Sequence, residues 1–384
     1  MEEKWSIFIL FKGGKKMKGN KRFFGFILIF SFSLLLAACG NSSDSGNEES
    51  ESDDGGSDDN FTAAMVTDTG GVDDKSFNQS SWEGLQEWGE ENDLEEGSDG
   101  YDYSQSEDDS DYLPNLSRLA KNDFNIIFGV GFLLEDAVEE VAEQNPDTYF
   151  SIIDTVAEGD NVTSITFGEH EGSFLAGVAA AEKTETDKIG FLGGVESDLI
   201  TKFEAGYIAG AKAVNPDIEI DVQYAGDFNA VDKGKVIASN MFNSDIDVVY
   251  HSAGNTGNGA FAEAKDIKKS NPDEDVWVIG VDRDQYDEGT YGDDDESVTF
   301  TSMVKRVDIA VQDVIKMAED DEYPGGEVLE FGLDEDGISI ADTNEEAYTE
   351  DIQEEVEEWE DKIRDEEIEV PKTDDELESF EEDL

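Results

Sequence analysis

Met65–Asn78 reads MVTDTGGVDDKSFN. It begins as the end of an apolar strand that starts at Phe61, reaches a carboxylate at Asp68, turns through Gly70 and Gly71, and delivers Phe77 and Asn78 to the start of a helix. Trp82, Leu85 and Trp88 follow at helical spacing, over a helix expected from Ser80 to Asn92. An acid, an aromatic ring and an amide are therefore expected together at the C-terminal edge of one strand, which is where open α/β sheets bind small ligands. An ordinary strand-to-helix turn has the same local pattern, so the remainder of the chain must decide between the two readings.

Outward from this stretch, strands and helices alternate. The acidic segment from Glu95 to Asp111 reads as a short strand at Tyr101–Tyr103 and a loop. FNIIFGVG (124–131) is a continuous apolar strand, followed by a helix from Phe132 to Gln144 that Asn145 and Pro146 stop. TYFSIID ends in Asp154, and NVTSITF (161–167) leads into the small-residue helix EGSFLAGVAAAEK. The alternation then starts again with KIGFLGG (188–194), EIDVQYAGD (219–227), IDVVYHSAG (246–254) and DVWVIGVD (275–282), each of the first three preceding a helix. Continuous apolar strands between helices imply parallel sheets covered on both faces. Because the βα pattern occurs twice, with a break near 160–168, two similar α/β lobes are predicted. A late strand, VTFTSMVK (298–305), and the helix after it are expected to return to the first lobe. The predicted division is 61–167 with about 302–323 for one lobe, and 168–301 with about 324–366 for the other. Tyr348, Ile352, Val356, Trp359 and Ile363 form a stripe at helical spacing, and residues 367–384 are expected to be disordered.

Charge sets this chain apart. With 97 Asp plus Glu against 26 Lys plus Arg, its net charge is −71. Nucleic acid and anionic membrane surfaces are thereby poor partners. The acid is spread along the whole chain, which suits a surface adapted to high salt, where counter-ions screen repulsion within a few ångströms. A disordered acidic chain is the competing reading, but 23 Phe and clear apolar strands argue against it.

Residues 1–38 read as a targeting segment, with basic residues Lys18, Lys21 and Arg22 before the apolar run Phe23–Leu36; Met17 opens a more typical signal than Met1 does. Leu36-Ala37-Ala38-Cys39 resembles a bacterial lipobox, which implies cleavage before Cys39 and a diacylglycerol on its sulfur. Residues 39–60, including GNSSDSGNEESESDDGGSDDN, contain no apolar residue after the cysteine and form an acidic, disordered tether.

Catalytic patterns are sparse. The two histidines, His170 and His251, sit in no metal-ligand spacing, and no GxSxG elbow, Walker loop or GxGxxG turn is present. Gly129-Val130-Gly131 lacks the third glycine and is a weak phosphate signal that a tight turn explains better. What recurs is a set of residues at strand C-terminal ends, Asp68, Asp154, Gly254 and Asp282, which two facing lobes would gather around one cleft.

Several motifs together, VTDTGGVDDKSFNQSSWEGLQ (66–86), IIDTVAEGDNVTSITFGEHEGSFLAGVAA (152–180), FLGG with FEAGYIAGAKAVNP (191–216), GVDRDQ (280–285) and TSMVKRVD (301–308), resemble the basic membrane protein (Bmp) family. That family comprises PnrA-like nucleoside-binding lipoproteins of ABC importers, and the resemblance runs in order from Phe61 to about Gly337. It implies a type 1 periplasmic-binding-protein fold, two Rossmann-like lobes joined by three crossovers, with a purine nucleoside in the central cleft. Carried over by motif, Phe77 and Phe203 would sandwich the base and Asn78 would read a base edge. Asp68 and Asp154 would take base or ribose hydrogen bonds, Asp282 would accept from ribose hydroxyls, and Gly254 would let the backbone approach. For Lys305 three readings stand: contact with ribose oxygens, balance of the clustered aspartates, or a plain structural ion pair. The implied protein is no enzyme and needs no cofactor or metal. It is a monomeric receptor on the extracytoplasmic face of the cell membrane, held by lipid on Cys39 and serving an ABC permease. A receptor for a sugar or other small polar ligand, a surface adhesin or structural lipoprotein, and a nucleoside hydrolase are the alternatives.

Overall fold

Two six-stranded sheets organise residues 60–292 and 296–384, which the computed structural model describes. The expected targeting segment, Cys39 and the expected tether lie outside the described residues. The first lobe contains β1 (Ala63–Val66), α1 (Phe77–Glu91), β2 (Tyr101–Ser104), α2 (Tyr112–Ala120), β3 (Ile126–Val130), α3 (Glu135–Gln144), β4 (Tyr149–Ile153) and β5 (Val162–Phe167). The second contains α4 (Glu169–Lys183), β6 (Lys188–Gly193), α5 (Asp198–Val214), β7 (Glu219–Tyr224), α6 (Val231–Phe242), β8 (Val248–Ser252), α7 (Asn258–Ser270) and β9 (Trp277–Asp282). The chain ends with the small hairpin strands β10 (Thr290–Tyr291) and β11 (Glu296–Ser297), then β12 (Thr299–Lys305), α8 (Val307–Glu319), β13 (Val328–Phe331), β14 (Ile338–Ile340), α9 (Glu350–Arg364) and α10 (Asp374–Asp383).

The sheet orders are β13-β5-β4-β3-β1-β2 and β14-β12-β9-β8-β6-β7. All neighbours are parallel except the β12–β14 pair. Each lobe thus repeats one doubly wound order, in which the first strand is flanked by the second on one side and the third on the other. Chain direction reverses around that first strand, opening a crevice beyond the strand ends at β1/β3 and at β6/β8. The apolar runs explain the sheets: AAMV of β1 and IIFGV of β3 are buried along their whole length. On one face of the first sheet Leu116, Val138 and Phe150 pack together, while Trp82, Leu85 and Trp88 of α1 cover the other. In the second lobe α4 and α5 touch backbone to backbone. A Cβ on Gly210 would stand 1.9 Å from the Phe174 carbonyl oxygen, so the small residues there are a packing requirement.

The chain passes between the two sheets at Gly168, at Arg306 and between Phe331 and Ile338. This corrects the predicted lobe boundaries. Residues 302–305 belong to β12 of the second sheet, where Met303 faces Val281 and Val304 faces Asp282 across the ladder to β9. Residues 328–331 return to the first sheet and pair with Ser164–Phe167 of β5. That edge strand alternates exposed and half-buried residues and has no apolar run to announce it. Directly after the acidic segment comes a helix, α2, that the sequence reading did not assign.

The C-terminal residues are ordered, against the expectation of disorder from 367. The stripe on α9 is buried at Val356 and Ile363, and Trp359 meets Phe174 at 5.5 Å between ring centroids. Val370 is buried, and α10 lays Phe380 edge-on against Phe174 at 6.3 Å. Thr373 caps α10 by accepting from the Glu376 N–H, while the Glu376 carboxylate accepts from the Lys372 N–H. A Thr-x-x-Glu start of this kind signals a helix in the sequence, and the surrounding acid obscured it. Among the described residues no helix is long and apolar enough to cross a membrane.

Candidate functional site

The strand ends meet in one cavity of about 560 Å³ between the lobes, and all eight residues singled out in the sequence line it. Phe77, on the first turn of α1, and Phe203, on α5, enter from opposite lobes.

The opening stretch of sequence builds one wall. Asp74 receives the N–H groups of Ser76, Asn78 and Gln79 at 2.9, 3.0 and 3.1 Å and so satisfies the free end of α1. Asp68, 8 % exposed, accepts from the Gly70 N–H at 2.8 Å and from Asn78 Nδ2 at 2.7 Å through the same oxygen, Oδ1. Asn78 also donates Nδ2 to Asp74 at 3.0 Å and accepts from the Asp68 N–H at 3.3 Å. Both amide hydrogens and the amide oxygen are therefore engaged within the loop. Asn78 thus holds Asp68 in place, and the base-edge contact that the family resemblance implies for it would exchange one of these bonds for the ligand.

Lys305, at the end of β12, decides the electrostatics. Its side chain is 2 % exposed, with Nζ 2.7 Å from Asp154 Oδ2 and 3.7 Å from Asp282 Oδ1. Burial alone would lower its pKa, but Asp154, Asp282 and Glu169 outweigh that and raise it, so the ammonium stays charged. Nζ also stands 4.6, 5.2 and 5.6 Å from the ring centroids of Phe77, Phe167 and Phe203. Lys305 thus forms an ion pair with one aspartate and stands beside a second.

Burial pushes Asp282 up to about 6, although Lys305 and the Ser76 hydroxyl oppose the shift. The Ser76 Oγ donates to Asp282 Oδ2 from the other lobe. Asp74 is likewise pushed up to about 6 by burial, and Asp68 is raised for the same reason. Behind the cavity, Glu169 is fully buried, paired to Lys202 at 3.3 Å, and raised to about 7 by desolvation. Asp154 Oδ1 is buried without a hydrogen-bond partner among the described residues. Asp154 and Asp282 both adopt left-handed backbone, φ 71° and 66°, at the ends of β4 and β9. Aspartate is among the few residues that tolerate this conformation. Gly254, φ 54°, occupies the matching position after β8.

Sequence reasoning missed several lining residues. Phe132 and Phe228 come from opposite lobes and meet edge to face at 6.3 Å, and Leu199 and Ile200 add apolar surface at the start of α5. An aromatic residue just past a buried strand, as in Gly131-Phe132, was the available signal. Gly131 itself is shaping through its backbone: its φ of 109° is strained for any L side chain, while a Cβ there would only touch Phe77 Cε1 at 3.5 Å. Among the described residues no group of three or more His, Cys, Asp or Glu side chains could hold a metal ion. The arrangement offers aromatic faces, buried acceptors and one neutralised cation, which suits a flat ring bearing hydroxyl donors.

Comparison with known proteins places this geometry. The family described as "ABC transporter substrate-binding protein PnrA-like" matches residues 61–374. The chain is 51% identical over 359 residues to a CD4+ T-cell-stimulating antigen of Listeria monocytogenes, covering 92% of this chain and 99% of the relative. It is 45% identical over 311 residues to an ABC transporter nucleoside-binding protein, BmpA, of Lactococcus lactis subsp. cremoris, covering 80% and 87%. Among solved structures, an ABC transporter solute-binding protein of Aeropyrum pernix K1 superposes with a TM-score of 0.73 at 25% identity, covering 83% of this chain and 96% of that one.

Proposed function

The chain belongs to the family of PnrA-like ABC transporter substrate-binding proteins, and from that premise we propose that it captures a purine nucleoside between its lobes and delivers it to an ABC permease. The observation that carries this reading is the pair Phe77 and Phe203, from opposite lobes, in one cavity with Asp68, Asp154, Asp282 and Lys305. The rings take the two faces of the base, since every purine presents a π face. Asp68 accepts from the base edge with its second oxygen, and Asn78 holds it there. Asp154 Oδ1 and Asp282 accept from the ribose hydroxyls, and Gly254 leaves its backbone open to the ligand. The L. lactis relative, named as nucleoside-binding, supports the choice of ligand.

The acid of the site favours a nucleoside over a nucleotide. Lys305 is the one cation among the lining residues, and Asp154 already pairs with it. A phosphate would therefore face carboxylates without a free counter-charge. A ligand touching both lobes favours their closed arrangement, so capture is binding with closure and involves no bond making. The receptor works as a monomer on the extracytoplasmic face, anchored by lipid on Cys39, whose two acyl chains suffice for stable attachment. The acidic surface suits it to high salt.

Thermal unfolding at high salt with inosine, adenosine, guanosine, their 5′-phosphates, free bases and sugars tests the proposal. A nucleoside at about 100-fold its Kd stabilises by about 2.7 kcal/mol, a rise of several degrees, and nucleotides give less. A shift with sugars and none with purine nucleosides overturns the reading.

A further inference from the structure

The two lobes recognise each other beside the cavity as well as through it. The loop between β1 and α1 presents three backbone carbonyls to the second lobe. Asn229 Nδ2 donates to Thr69 O at 2.7 Å, Asn258 Nδ2 to Asp74 O at 2.9 Å, and Gln285 Nε2 to Lys75 O at 2.8 Å. These amides are aimed in advance. Asn255 ties Asn229 and Asn258 together, and Gln285 Oε1 is occupied by the Val281 N–H and His251 Nε2, both at 2.9 Å, which leaves Nε2 pointing at the first lobe. Lys75 adopts left-handed backbone, φ 66°, an unfavourable conformation for lysine that persists where surrounding contacts over-determine it. Further along α1, Glu83 accepts from Arg283 Nε and Nη2 at 2.9 and 2.8 Å, and Gln79 steadies the carboxylate at 2.9 Å. Arg283 directly follows Asp282, yet neither it nor Glu83 lines the cavity.

We propose that Glu83 and Arg283, with the amides that read the β1–α1 loop, form a clamp that holds the lobes closed without touching the ligand, so that it sets residence time while the cavity sets recognition. The clamp rests on the ligand-capture reading above. The bonds bridge the lobes, so only a closed arrangement can make them. In a chain of net charge −71, bringing two acidic lobes together has a Coulomb cost, and a forked arginine–carboxylate pair offsets part of it. Apparent affinity scales with the fraction of receptor able to close, so weakening the clamp lowers affinity through the ligand's escape.

The test uses the full chain carrying Glu83→Gln, Arg283→Gln, Arg283→Lys and the Glu83→Gln/Arg283→Gln double variant at high salt. Small-angle scattering without ligand and stopped-flow dissociation of inosine are the readouts, with Tm as control. The clamp requires each Gln variant to widen the ligand-free ensemble and speed dissociation about 3- to 20-fold, with association and Tm nearly unchanged. The double variant should be no worse than either single one, and Arg283→Lys should fall between, since lysine keeps the charge without the fork. Dissociation within twofold of the parent, or additive effects in the double variant, refutes the clamp. So does faster dissociation that follows a lowered Tm with unchanged ligand-free scattering. Should no purine nucleoside bind, the capture reading falls, but the ligand-free scattering still decides: an unchanged radius of gyration in all variants rejects the clamp.

Discussion

Replacing Lys305 by Met tests the centre of the site most directly. Methionine keeps the unbranched stem and removes the charge. In the parent, Nζ lies 2.7 Å from Asp154 and 3.7 Å from Asp282, with the side chain almost wholly buried. At an effective dielectric constant of about 20 these contacts correspond to about 6 and about 4.5 kcal/mol. Desolvation of the ammonium offsets much of this, and removing one partner of a buried pair costs a net of about 3–5 kcal/mol because a charge is left unpaired. Lys305→Met should therefore lower stability by about that amount at pH 8, read as a reduced urea midpoint with unchanged slope by Trp fluorescence. The deficit depends on pH in a defined direction. Without the lysine, which opposes the shift that burial gives Asp282, the Asp282 carboxyl in the folded variant holds its proton to higher pH than it does when unfolded. Stability is then lost as pH rises through its raised pKa, so the deficit is larger at pH 8 than at pH 5. A loss below about 1 kcal/mol at pH 8, or a deficit equal at pH 5 and pH 8, would refute the charge-balance role.

Phe77→Ala should weaken nucleoside binding by about 1–3 kcal/mol, the range for base stacking on aromatics, with little change in Tm; unchanged affinity in titration calorimetry would assign Phe77 to the core. Asp74 and Asp282 are raised to about 6 from 3.8, and Glu169 to about 7 from 4.5, so the stability they contribute is fully present below about pH 4 and is lost as pH climbs to about 7. Asp282→Asn should flatten that part of the stability-against-pH curve, and an unaltered slope counts against burial as the cause. Deleting residues 367–384 removes the contacts of Val370 and Phe380 and should lower Tm by several degrees, whereas a disordered tail would leave it unchanged. Dilution from molar salt to about 0.01 M extends the screening length from about 3 to about 30 Å and should destabilise the chain markedly; equal melting temperatures at both salts would reject the high-salt reading.

Much of the site was legible because its residues sit at strand ends, and strand ends are announced locally. Asp68, Asp154, Gly254 and Asp282 each close a buried apolar run, and one cavity gathers them. Asn78 shows where that reasoning stops. Its position beside Phe77 was readable, but its amide is occupied by Asp68 and Asp74, a matter of loop geometry that spacing does not encode. The aromatic pair Phe132 and Phe228 was invisible for a related reason, since each residue becomes meaningful only opposite the other.

The sequence by itself determined the alternation of buried strands and amphipathic helices, the two lobes, and the parallel sheets that follow. Those properties depend on patterns within about 5–15 residues, the scale on which side-chain periodicity selects helix or strand. Tertiary structure alone decided which distant groups share a charge, as in Lys305 and Asp154, 151 residues apart. It also decided that β13 returns to the first sheet and that the acidic tail folds as α10 against Phe174. These depend on what each segment meets across the fold, where burial sets the strength of a charge and a neighbouring ring makes an acidic segment worth ordering.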